Sequence, residues 1–87
     1  MANREYAAAQ EAYSKAIQLN PTGSLSHVYF SNRAAAYCYL ERYAAAEQDS
    51  LRSLQLHPTY GKAYARLGLS CFFLLDYASA AYKKALD

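Results

Sequence analysis

The chain repeats itself. Tyr6, Ala9, Ile17, Leu19 and Pro21 return as Tyr43, Ala46, Leu54, Leu56 and Pro58, every pair 37 residues apart. A second set, Phe30, Tyr37, Leu40, Tyr43 and Ala46, returns as Tyr64, Cys71, Leu74, Tyr77 and Ala80, every pair 34 residues apart. Self-similarity at such a period marks stacked copies of one helix-turn-helix unit, each burying its apolar face only against its neighbours. The expectation is an all-α helical solenoid of antiparallel helix pairs.

Helical spacing and helix stop signals divide the chain into about five helices. Tyr6, Ala9, Tyr13, Ala16 and Leu19 lie three and four apart, as on one face of a helix that starts near Asn3. Pro21 disfavours helical geometry at Asn20 and ends it. Gly23 suits the following turn, with Ser24 or Ser26 as the next N-cap. A second helix is expected from Leu25 to Leu40, a third from Tyr43 to Leu56 closed by Pro58, and a fourth from Tyr60 to Leu75. Asp76 can cap a fifth, Tyr77 to Leu86. The stripe Tyr64, Leu67, Cys71, Leu74, Ala78, Tyr82 and Ala85 also fits one uninterrupted terminal helix, and Gly is absent near Asp76. The reading is a single domain over 1–87: residues 1–21 are the second helix of a first unit, 22–58 a whole unit and 59–87 a third.

Several functions are set aside by composition. Tyr supplies 10 residues and Phe 3, with no Trp, so the core is expected from Ala, Leu and amphipathic rings whose hydroxyls reach water. A net charge of +2 is too slight to signal nucleic acid or membrane. No apolar run nears the roughly 20 residues that span a bilayer, and no signal-peptide pattern stands at the start, so a cytoplasmic location is expected. Cys38 and Cys71 read as small buried thiols, and two cysteines without clustered histidines make no metal site. His27 and His57 read as surface or capping residues at helix-loop junctions. No nucleophile, base and orienting group form a set, and no Gly-rich phosphate loop is present, so neither catalysis nor a cofactor is expected.

Tyr64, Leu67 and Gly68 on a first helix, with Ala9, Tyr13, Ala16 and Pro21 on a second, resemble the tetratricopeptide repeat. The middle unit fits through Phe30, Ala34, Tyr37, Ala46 and Pro58, while Ser50 and Ser53 replace an expected aromatic and Ala. The resemblance implies an array whose first helix is missing. Tyr6, Ala9 and Tyr13 would then form an uncovered apolar stripe, expected to promote self-association or helix swapping.

Charge distribution points to a ligand. All seven acids, Glu5, Glu11, Glu41, Glu47, Asp49, Asp76 and Asp87, lie on second helices, at turns or at the end, and residues 21–40 and 58–75 hold none. In solenoids of this kind the first helices line the concave groove, so that wall should be positive. Lys62 and Arg66 are four apart on one face, continued by Leu69 and Phe73; the facing helix offers Asn32, Ala35 and Cys38 or Tyr39. Two cationic donors beside an apolar shelf suit a short peptide with acids around one aliphatic side chain.

The runs Asn32-Arg33-Ala34-Ala35-Ala36-Tyr37 and Lys62-Ala63-Tyr64-Ala65-Arg66-Leu67-Gly68 are similar to the carboxylate-clamp class of tetratricopeptide co-chaperones, the small glutamine-rich type above all. The resemblance implies a protein–protein interaction module that binds the acidic C-terminal Glu-Glu-Val-Asp of cytosolic heat-shock chaperones. Asn32, Lys62 and Arg66 would hold its carboxylates, and Ala35, Cys38, Leu69 and Phe73 its apolar side chain. Two further clamp residues, a Lys and an Asn, come in that class from the first helix of the first unit, so weakened binding is implied here. The alternatives are a pure assembly scaffold with an idle groove and an RNA-binding helical repeat, the latter disfavoured by weak charge and few units.

Overall fold

The structure, a computed structural model, describes residues 3–86, with side chains described over 4–76. It contains four helices: α1 (Asn3–Leu19), α2 (Ser26–Tyr39), α3 (Tyr43–Leu56) and α4 (Gly61–Leu86). The helix breaks expected near Pro21, Glu41 and Pro58 are all present.

The fifth helix is not. α4 runs unbroken through Asp76 for 26 residues. The physical reason is a missing stop signal. The turn after α2 is closed by Glu41 in a left-handed conformation, and the residue 34 positions on is Leu75. A branched apolar side chain is poorly suited to that conformation, and neither Gly nor Pro follows Gly68 to open another route. Tyr77, which opens the expected fifth helix, and Tyr82 and Ala85 of the uninterrupted stripe lie outside the described side chains.

The first turn departs from expectation in one detail. Leu25 occupies the N-cap of α2 without a side-chain bond. Ser26 instead staples the loop: its hydroxyl accepts from the Gly23 N–H at 2.7 Å and donates to the Asn20 carbonyl. A Cβ at Gly23 would fall 2.1 Å from the Asn20 side-chain nitrogen, so any larger residue must displace Asn20.

Each helix packs on its successor, and α2 also packs on α4. That last contact brings the first helices of consecutive units side by side, which is what builds a solenoid wall. Ala34, Ala46 and Ala63 are fully buried. The largest fully buried side chains are serines, Ser26, Ser31, Ser50, Ser53 and Ser70, whereas Leu19, Leu25, Leu51, Leu69 and Leu75 are exposed. The expected Ala and aromatic rings are in the core, as Ala34, Ala36, Ala46, Ala63, Phe30 and Tyr43, but serines take the place of the expected leucines in a thin seam. Ser50 and Ser53, where the repeat pattern expects an aromatic and an Ala, satisfy their hydroxyls on backbone carbonyls, Ser50 on Ala46 at 2.8 Å and Ser53 on His27 at 2.7 Å. These partners offset the cost of burying the two hydroxyls in a seam this tight.

Candidate functional site

α2 and α4 diverge enough to leave a cavity of about 370 Å³ between them, lined by Ala35, Cys38 and Tyr39 of α2, Glu41 of the turn, Tyr43 of α3 and Arg66, Leu69 and Phe73 of α4. Its floor is fixed by packing. Tyr43 stacks on Phe73 with ring centroids 4.6 Å apart and planes at 15°, and Phe73 rests on the buried cluster of Ala34, Cys38, Tyr43 and Ala46. Such offset ring pairs hold both side chains in one rotamer and so pre-form the apolar surface.

A shallower cleft of about 200 Å³ adjoins it, lined by Tyr6, Ala9, Tyr13, Asn32, Ala35, Ala36 and Tyr39. The two share Ala35 and Tyr39, so they are neighbouring stations of one groove. Tyr39 stands between them, 62% exposed and stacked on Tyr6 at 4.3 Å.

Of the residues singled out in the sequence, Arg66, Ala35, Cys38, Leu69 and Phe73 meet in the larger cavity and Asn32 in the adjoining cleft. Lys62 lines neither; it is exposed one turn ahead of Arg66 on α4. Tyr6, Ala9 and Tyr13 are half-buried and face the cleft beside Asn32. Tyr43 was visible in the repeat pattern without a stated role. Glu41 was placed at a turn, and nothing local to it indicates that it lines the cavity.

Arg66 is the distinctive group. Its Nε is buried and has no hydrogen-bond partner, and it makes no ion pair among the described residues. A buried guanidinium N–H left without an acceptor carries a desolvation cost that an incoming carboxylate relieves. Arg66 also acts on the cavity wall: burial pushes the Cys38 thiol up from its ordinary pKa, and the neighbouring Arg66 charge partly opposes that rise. The third cation of the acid-free helices, Arg33, is taken out of play by Asp49, which holds its guanidinium firmly charged.

The remaining candidates settle elsewhere. Cys38 is buried, but Cys71 is only half-buried and its thiol donates to Glu47 at 3.5 Å. Burial first, and the Glu47 carboxylate second, push the Cys71 thiol up. His27 and His57 do not cap with their side chains; they stack on each other at 4.5 Å, with Tyr60 against the edge of His27. Among the described residues, no group of three or more His, Cys, Asp or Glu could hold a metal ion, and no helix is long and apolar enough to cross a membrane.

Helix pairs stacked through small residues, with successive first helices walling a groove, define a helical-repeat scaffold, and over its whole length the chain is similar to tetratricopeptide-repeat proteins and co-chaperones. It is 44% identical over 89 aligned residues to the small glutamine-rich tetratricopeptide repeat-containing protein 2 of Mycosarcoma maydis, covering all of this chain and 24% of that protein. It is 37% identical to the heat-shock protein cognate (HSC) co-chaperone sgt12 of Aspergillus fumigatus, again over the whole chain and 25% of the relative. The Hsp70-Hsp90 organizing protein of Triticum aestivum is 42% identical over 85% of this chain and 13% of its own length. The chain thus spans about a quarter or less of these relatives. No protein-family model and no solved structure gives a significant match.

Proposed function

We propose that this domain is the chaperone-binding module of a cytoplasmic co-chaperone and holds the acidic C-terminal peptide of heat-shock chaperones in the groove between α2 and α4. The observation that carries the reading is the buried, unpartnered Arg66 Nε on the wall of a preformed apolar cavity. In this reading Arg66 receives a ligand carboxylate, and Lys62 attracts a second acid from its exposed turn. Asn32 bonds the peptide where the groove continues into the cleft, and Ala35, Cys38, Leu69 and Phe73 enclose one aliphatic side chain. The relatives named for co-chaperone and Hsp70-Hsp90 organizing roles support it. A groove that binds and releases a peptide tail needs no chemical step, in keeping with a non-enzymatic role.

Calorimetric titration of a peptide ending in Glu-Glu-Val-Asp into the chain tests the proposal. One charge-assisted hydrogen bond contributes about 1.5–3 kcal/mol, so Arg66→Ala should weaken binding by about ten- to a hundredfold. Lys62→Ala should weaken it less and mostly at low salt, as expected of an exposed charge. Binding that is indifferent to Arg66→Ala would remove the groove from the mechanism.

A second reading, self-association, is favoured by a separate observation: Phe72 and Leu75 are 66% and 71% exposed on α4. Light scattering at increasing concentration decides it, and a constant monomer mass rules it out.

A further inference from the structure

The turn from α2 to α3 is closed by a residue that is ill suited to it. Glu41 has φ 61°, and it is the one non-glycine residue with positive φ among those described. The surrounding bonds are those of a helix C-terminal cap: the Glu41 N–H donates to the Cys38 carbonyl at 3.1 Å and the Arg42 N–H to the Tyr37 carbonyl at 2.8 Å. Glycine is the usual occupant of that position because it lacks a Cβ. A glutamate there carries backbone strain, and strain of this kind clusters at positions that serve a purpose other than folding.

The side chain shows what that purpose is. Glu41 lines the same cavity as Arg66, Leu69 and Phe73, yet the residue is exposed and its side chain makes no hydrogen bond or ion pair among the described residues. It does not neutralise Arg66, and it does not brace the turn. The cavity lining therefore includes both a cationic donor and an anionic acceptor beside its apolar residues.

We infer that Glu41 sets the specificity of the groove, selecting peptides that bring a cation or hydrogen-bond donor next to the side chain seated against Leu69 and Phe73, and penalising a second acid there. This deepens the peptide-binding reading and rests on it. A ligand of mixed charge satisfies both Arg66 and Glu41, whereas an all-acid tail gains from the first and is repelled by the second. A water-exposed carboxylate shifts affinity by about two- to fivefold for each charge it meets, and the effect fades with salt.

The test is a matrix of calorimetric titrations. Three peptides with free C-termini, ending in Glu-Glu-Val-Asp, Lys-Glu-Val-Asp and Glu-Lys-Val-Asp, are titrated into the wild-type chain and into Glu41→Gln, Glu41→Gly and Arg66→Ala. Glu41→Gln should strengthen the all-acid peptide and weaken one Lys-bearing peptide, changing their affinity ratio by about fivefold or more at low salt. Glu41→Gly should change it equally, showing that charge and not backbone strain is responsible. An unchanged ratio in both variants, while Arg66→Ala still weakens binding, overturns the role of Glu41 and leaves the groove intact. Failure of every peptide to bind the wild type, or binding indifferent to Arg66→Ala, overturns both readings.

Discussion

Arg33 and Asp49 form a two-pronged ion pair, Arg33 Nε to Asp49 Oδ2 at 2.6 Å and Nη2 to Oδ1 at 2.7 Å. The third guanidinium nitrogen donates to the Ser14 hydroxyl at 3.1 Å, so one side chain of α2 ties together α1 and α3. Both partners are withdrawn from water, 19% and 8% exposed. The ion pair also has an electrostatic consequence: of the three cations on the acid-free first helices, only Lys62 and Arg66 remain to act on the groove.

Removing the carboxylate leaves a desolvated guanidinium without its partner. Asp49→Ala should therefore destabilise the fold by about 3 kcal/mol, read as a lower urea midpoint at unchanged slope. The double variant Arg33→Met/Asp49→Leu should recover most of that loss, because replacing a buried pair by apolar groups is close to neutral. A cost below about 1 kcal/mol for Asp49→Ala would mean the pair is solvated in solution.

Ser31 is buried and its hydroxyl has no hydrogen-bond partner. Ser31→Ala is expected to raise stability by about 1 kcal/mol, since it removes an unsatisfied group at almost constant volume. Ser53→Ala removes a hydroxyl that donates to the His27 carbonyl and should lower stability by a similar amount. Thermal unfolding of the two variants side by side distinguishes them; changes of the same sign would contradict the bonding described.

Gly68 lies inside α4, and a Cβ there meets nothing within 4 Å. Gly68→Ala should then stabilise by about 1 kcal/mol through helix propensity alone, raising Tm by roughly 4–8 °C in a domain of this size. Destabilisation would instead indicate that the chain beyond Asp76 folds back against this face.

Burial raises the Cys38 thiol above its ordinary pKa, so the folded chain keeps its proton where the unfolded chain loses it. Below the ordinary thiol value of about 8.5 both states are protonated and the thiol's contribution to stability is complete. As pH rises beyond it the unfolded state deprotonates first, and stability falls until the folded thiol also titrates. Urea midpoints between pH 7 and 10 should decline more steeply for the wild type than for Cys38→Ala. Equal slopes would show that the cavity leaves Cys38 in contact with water.

What the sequence determined by itself is local or periodic. The ends of α1, α2 and α3 follow from Pro21, Pro58 and the spacing of Tyr and Ala, because helix propagation and its interruption depend on residues within one or two turns. Arg66, Leu69 and Phe73 could be placed on one face because three- and four-residue spacing maps directly onto a helix surface. The repeat then put α2 and α4 side by side, which brought Ala35 and Cys38 to the same cavity.

Tertiary structure decided the pairings that cross helices. The chain does not announce that Asp49 reaches Arg33, that serines fill the seam while leucines face water, or that Glu41 lines the cavity. These depend on the rotation of each helix about its axis and on a cap that left-handed backbone closes at Glu41 and leaves open at Leu75. At the positions matching that turn α4 continues instead, because a turn forms only where some residue can adopt the conformation that ends a helix.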